Sequence, residues 1–157
     1  MTIYFYNCQM LIIRFAEVAD AENIFQLSND EAVRKMSINK EKIAWNQHIK
    51  WFQERIEDIA QPFYIIENEN KEFISQVRFN KNNEGYIISI SITENFRGRG
   101  LAAEIIKMSC YKLNQYPIIA YINPRNFASK RAFLKAGFKY IDIKKIDNEF
   151  FEKYLLL

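Results

Sequence analysis

The chain has 157 residues, a length suited to one domain spanning 1–157, and its 49% apolar and 15% aromatic content can build a buried core. Its 22 Lys and Arg are dispersed among 19 Asp and Glu for a formal charge of +3, which argues against a nucleic-acid surface and leaves a mild bias towards anionic small molecules. The longest apolar runs fall far short of a membrane span, and residues 1–10 lack the basic start and small-residue cleavage site of a signal peptide, so no membrane association and a cytoplasmic location are expected.

Residues 1–9 read as an N-terminal extension, and 10–15 as a first strand. Asp20 can cap a helix carrying Ala21, Ile24, Phe25 and Ser28, with a further short turn over 31–35. Trp45, Ile49, Phe52, Ile56 and Ile59 recur at four, three, four and three residues, which predicts an amphipathic helix over 43–59 whose apolar face needs a sheet. Strands follow at 63–67, 73–79 and 86–93, separated by polar hairpin turns at 68–71 and 80–85. A helix over 101–113 carries two apolar stripes, Leu101, Ile105, Met108 and Ile106, Cys110, Leu113, and Pro117 closes it before a strand at 118–122. Residues 138–146 and 150–156 suggest a final hairpin around Asp147 and Asn148. The sum is a mixed sheet flanked by helices, in the α/β (α+β) class.

The junction at 89–102 concentrates the chemistry. A β-type alternation runs into a Gly-rich turn and then a helix, so Gly98 and Gly100 let the backbone approach a ligand while the first helical amides point at it unpaired. An anion fits there, beyond the carboxyl end of a strand in a strand-helix-strand crossover. The segment lacks the Gly-Lys-Ser/Thr ending of a nucleotide P-loop and does not complete the dinucleotide fingerprint. Cys8, Cys110 and the lone His48 have no metal-ligand spacing, so no metal is expected, and both thiols read as buried.

Arg97-Gly98-Arg99-Gly100-Leu101-Ala102 resembles the Arg/Gln-x-x-Gly-x-Gly/Ala signature of the GNAT acyltransferases, standing as that family requires between a strand and a helix. Asn126, Ser129 and the ending Phe133-Leu134-Lys135-Ala136-Gly137-Phe138 resemble the second cofactor segment of the same superfamily, and the order of elements is similar to the GNAT fold over nearly the whole chain. The resemblance implies a mostly antiparallel sheet whose parallel fourth and fifth core strands, 86–93 and 118–122, splay apart. It implies acetyl-CoA as cofactor, with Ser91, Ile92 and Thr93 supplying the strand edge for the pantetheine arm. The amides of Arg97, Gly98, Arg99, Gly100, Leu101 and Ala102 would hold the pyrophosphate. A main-chain donor near Ile92 would polarise the acetyl carbonyl while an acceptor amine attacks directly in a ternary complex.

The acid and base are less defined. A lysine-type amine with a pKa of roughly 10.4 must lose its proton before attack, whereas an amino-sugar amine is less basic and needs less help. Glu94 has two readings, a base acting through water and a solvated turn carboxylate. The family tyrosine that protonates the leaving thiolate falls at Phe133, which leaves Ser129, Tyr121, a water or direct thiolate protonation as substitutes. Ser129 otherwise caps or packs its own helix, and Asn126 either contacts the cofactor arm or serves as an ordinary N-cap.

The stretch Ser28-Asn29-Asp30-Glu31-Ala32-Val33-Arg34, the helix containing Trp45, His48 and Trp51, and the segments 74–79 and 88–91 together resemble GNAT enzymes of bacterial pathways to pseudaminic and related nonulosonic acids. That resemblance implies an amine acceptor on a nucleotide-linked deoxyamino sugar. Asn29, Arg34 and His48 would hydrogen-bond sugar or diphosphate groups, and Trp51 would stack on sugar or base. The plainer readings are a turn cap for Asn29, a surface cation for Arg34 and an edge position for His48. Two alternatives stand beside this one: a Rim-type protein N-terminal or ribosomal-protein acetyltransferase, which needs an open acidic groove, and a noncatalytic acyl-CoA-binding sensor. Carboxyl-terminal edge strands rich in Phe150, Phe151, Tyr154 and three leucines can pair with a second subunit as a homodimer, or pack within one subunit.

Overall fold

β-Branched alternation builds the strands, and 3.6-residue periodicity the helices that cover them. The computed structural model describes residues 2–6 and 9–157; the expectation for Cys8 lies outside them. The strands are β1 (Thr2–Tyr6), β2 (Gln9–Phe15), β3 (Phe63–Glu67), β4 (Phe73–Asn82), β5 (Gly85–Ile92), β6 (Ile118–Ile122), β7 (Lys139–Ile146) and β8 (Glu149–Leu156). The helices are α1 (Ala21–Ser28), α2 (Glu31–Met36), α3 (Trp45–Glu57), α4 (Leu101–Leu113) and α5 (Phe127–Lys135). All eight strands form one open sheet in the order β1-β2-β3-β4-β5-β6-β8-β7. Among the described strands, only β5 and β6 run parallel, across the α4 crossover.

Each sheet face has its own core. On one, Ile24 of α1 and Phe52 of α3 pack on Phe63 and Ile65 of β3. On the other, Leu101, Ile105, Ile106 and Met108 of α4 and Phe133 of α5 join Ile74, Val77, Phe79, Ile88 and Ile118. Cys110 is buried here, and burial pushes its thiol up to about 12. Among the described residues, no helix is long and apolar enough to cross a membrane.

Several expectations need correction. The stretch read as an extension contains β1, paired antiparallel with β2 from Thr2↔Ile13 to Tyr6↔Gln9. Its run of β-formers conceals the period of two: Tyr4 and Tyr6 pack on the α4-side core while Ile3 and Phe5 are exposed. Asp20 does not cap α1, because the Arg14 guanidinium takes both its carboxylate oxygens at 2.7 Å. The Glu17 N–H adds a third donor at 2.7 Å. Helix α3 stops at Glu57, so Ile59, expected to continue its stripe, is 83% exposed. The final hairpin folds back so that β8 lies between β6 and β7, burying Phe151 and Tyr154 and leaving β7 as the edge strand.

Parallel pairing begins at Gly85, whose φ of +136° is open to glycine alone, and a Cβ there would lie 2.3 Å from the Pro117 carbonyl oxygen. That same oxygen accepts from the Tyr86 N–H at 3.0 Å. Gly85→Ala is therefore expected to cost about 1–3 kcal/mol from backbone strain alone, with the clash adding to it. The fall in urea-unfolding midpoint measures the effect.

Candidate active site

The Tyr86 N–H donates to Pro117 on the β6 side of β5, whereas the Thr93 N–H donates to the Ile74 carbonyl at 2.9 Å on the β4 side. Strand alternation therefore turns the main-chain groups of Tyr86, Ile88, Ile90 and Ile92 towards β6. But β5 and β6 are in register only at Tyr86↔Ile118 and Ile87↔Ile119. Beyond that, β6 follows β8 as far as Ile122↔Glu152 and leaves β5. The N–H groups of Ile90 and Ile92 consequently face a gap between diverging strands.

Arg97 fixes one wall of this gap. Its Nε donates to the Ile92 carbonyl at 2.8 Å, and its guanidinium pairs with Asp30 Oδ1 at 3.0 Å. Asp30 also accepts from the Val33 N–H to cap α2, at 3.1 Å. Burial alone would raise the Asp30 carboxyl, but the Arg97 charge and the Val33 and Ala32 amides outweigh it and hold it below the usual carboxylate range. One arginine thus ties the end of β5 to the start of α2. Its own N–H donates to Glu94 at 3.2 Å, closing a 3-10 turn at Glu94–Phe96, so the main-chain cradle proper starts at Gly98.

Gly98 and Gly100 adopt φ of +74° and +77°, the left-handed region. A Cβ on Gly98 would meet no atom within 4 Å, and one on Gly100 only the Tyr6 hydroxyl at 3.5 Å. Among the described residues no side chain caps α4, and the first four amides of a helix have no acceptor within it. The Arg99 guanidinium lies 5.0 Å over the Phe96 ring beside the turn. Open space, unpaired donors, the positive helix end and a nearby cation together suit a pyrophosphate. Sequence reading missed Tyr6 at this site; the alternation of Tyr4 and Tyr6 with Ile3 and Phe5 was the available signal.

In the second segment, Asn126 Oδ1 accepts from the Ser129 N–H at 3.1 Å, an N-cap of α5. Ser129 is half-buried on the first turn of that helix. Phe133 is 3% exposed and packs edge-on against Phe138 at 4.9 Å, so the position has neither a proton to give nor access to a thiolate. Tyr121, on β6, is pushed up by burial and keeps its phenolic proton at neutral pH. Glu94 is exposed in the turn directly after Thr93.

The four acceptor candidates divide. Asn29 is committed to the backbone: its Nδ2 donates to the Ile43 carbonyl at 3.0 Å and its Oδ1 accepts from the Ile43 N–H at 2.8 Å, clamping the α2–α3 loop. His48 is 1% exposed, with Nε2 against the Ala21 carbonyl at 2.8 Å and its ring stacked on Phe52 at 5.7 Å, and so lies in the α1–α3 interface. Burial lowers its pKa, the Ala21 bond works against that, and the Arg78 charge adds to the lowering. Arg34 and Trp51 do reach the surface. Arg34 donates to the Glu41 carbonyl at 3.2 Å and to Ser37 Oγ at 3.4 Å. Trp51 lies under the Arg78 guanidinium at 5.3 Å from its ring centre. Arg78 and Gln76 were not singled out from sequence, although polar side chains on β4 positions facing helices were a signal. Across β4–β5 they stand opposite Ser89 and Ser91, forming a polar strip that leads to Ile92.

Residues 10–139 match the family model of the acetyltransferase (GNAT) domain. The chain belongs to the GNAT acetyltransferase family. As a GNAT protein it is an N-acetyltransferase that draws its acetyl group from acetyl-CoA. Among curated proteins none matches the sequence. Among solved structures it is similar to spermidine N-acetyltransferase from Vibrio cholerae in complex with CoA and spermine, at TM-score 0.80 and 18% identity over 92% of each chain. It is also similar to an N-acetyltransferase from Staphylococcus aureus Mu50, at TM-score 0.77 and 19% identity over 93% of this chain and 97% of that one. At such identities the likeness is one of fold.

Two outcomes are expected. Gly100→Val should weaken CoA binding by roughly ten- to a hundredfold, the worth of a charge-assisted hydrogen bond, while calorimetry and urea unfolding show the fold retained. The depressed His48 pKa means that the unfolded chain binds a proton more readily, so stability is full above its unfolded value of 6.5 and lost as pH falls through the folded value. Unfolding midpoints should therefore fall between pH 7 and 5, and His48→Gln should flatten that slope.

Proposed function

We propose that this GNAT enzyme acetylates the amine of a nucleotide-linked deoxyamino sugar by direct attack within a ternary complex. The observation that carries the reading is the polar strip of Ser91 and Ser89, opposite Gln76 and Arg78, which leads from Ile92 to the Trp51 ring under the Arg78 guanidinium. It has donors for hydroxyl groups, a cation for phosphate, and an aromatic face on which a base or sugar can stack.

Acetyl-CoA supplies an electrophilic thioester carbonyl. The amides from Gly98 to Ala102 and the Arg99 side chain bind its anionic end, and the strand edge at Ser91–Thr93 orients the arm. The Ile92 N–H, already directed into the gap, donates to the carbonyl oxygen as negative charge develops there, and being preorganised it needs no rearrangement. Glu94 takes the amine proton through water. Phe133 is buried in the core and delivers no proton, so Tyr121 or Ser129 hydrogen-bonds the departing sulfur. A peptide or polyamine acceptor would call for carboxylates along the strip, where Arg34 and Arg78 stand instead.

Thiol release should be measured with nucleotide-linked amino sugars, spermidine and an N-terminal ribosomal-protein peptide. Turnover is expected with an amino sugar; turnover with the polyamine or peptide alone would overturn the assignment. Glu94→Gln should lower kcat by roughly a hundredfold, in the range of general-base catalysis, with KM nearly unchanged.

A further inference from the structure

Arg78 occupies a half-buried position in the middle of β4, on the face covered by α1 and α3. A charge there ordinarily has a counter-ion, because desolvating it unpaired is costly. Among the described residues, Arg14, Arg97 and several lysines are paired with carboxylates. Among the same residues, neither Arg78 nor Arg34 forms such a pair. The charges acting on Arg78 are cationic: its guanidinium is pushed down to about 10 by desolvation first, then by Arg55 and Arg34.

Arg55 is spoken for, since its guanidinium donates to the carbonyls of Gln61 and Phe79 and to Asn80 Oδ1. Arg34 is committed only in part: its two Nη groups donate to the Glu41 carbonyl and Ser37 Oγ, whereas its Nε is buried without an acceptor among the described residues. The Trp51 ring holds Arg78 in place by a cation–π contact that leaves its charge unneutralised. Two forked donors therefore lie within electrostatic reach of each other, with no negative partner, at the far end of the serine strip.

Resting on the reading of this strip as the acceptor path, we propose that Arg78, together with Arg34, receives an anionic group of the acceptor and so selects anionic amines over polyamines. The span follows from register. Arg78 lies opposite Ser89, three residues before Ile92, so at 3.3–3.4 Å per residue the two ends of the strip are roughly 10 Å apart along β5. A phosphate or carboxylate accepts two parallel N–H bonds from such a fork, which a lysine cannot supply.

The test uses the full chain saturated with CoA, so that the cradle at Gly98–Ala102 is filled. Inorganic pyrophosphate, glutarate and spermidine are each titrated calorimetrically into the wild type, Arg78→Ala, Arg78→Lys and Arg34→Ala. Pyrophosphate or glutarate is expected to bind the wild type, the tighter of the two identifying a phosphate or a carboxylate. Affinity should fall at least tenfold in Arg78→Ala and Arg34→Ala and recover only in part in Arg78→Lys, with CoA affinity unchanged throughout. Arg34 lies on the short surface helix α2, so its variant reports even if Arg78→Ala does not fold. Anion affinity equal in wild type and variants, no anion binding, or tighter binding of spermidine would each overturn the proposal while leaving the acetyltransferase reading intact. Failure of the wild type to bind CoA would overturn both.

Discussion

Parallel pairing that starts and then stops is the constraint on which the rest of this structure depends. Gly85 lets β5 lie against Pro117, two residue pairs form, and β6 then follows β8 instead. The Ile92 N–H is left pointing into the resulting gap, a polar group that a closed sheet would have satisfied. Because Arg97 holds the Ile92 carbonyl and Asp30 at once, the unpaired edge, the glycine turn and the start of α2 are positioned together. The candidate site is therefore a property of sheet topology before it is a property of side chains.

The position at which the family's usual acid falls is taken here by a core residue. Phe133 packs against Phe138 and completes the core under α5, so the position serves stability where relatives of the family use it for proton delivery. On the opposite face of the sheet, Arg78 and Gln76 stand across from Ser89 and Ser91.

Much of this was legible in the sequence because local signals agreed with the fold. Gly98 and Gly100 marked a turn that requires left-handed backbone, and the stripes on α3 and α4 marked buried faces. What was not legible depended on partners distant in the chain. Asp20 looked like a helix cap, but Arg14 competes for both of its oxygens. Asn29 and His48 looked able to contact a ligand, but Ile43 claims both side-chain polar atoms of Asn29, and His48 is buried with its Nε2 on the Ala21 carbonyl. The insertion of β8 beside β6 could not be read from a hairpin pattern that is the same whichever strand lies inside. Arg78 was visible as a residue, but that no carboxylate pairs with it among the described residues was not.

The most direct test of the central claim is an amide NMR titration of the isotopically labelled full chain with CoA. The account predicts that the largest shifts fall on the N–H signals of Ile92 and of Gly98 to Ala102, with β1 through β3 little affected except near Tyr6. Saturable binding whose largest shifts lie elsewhere, leaving Ile92 and the glycine turn unmoved, would contradict it.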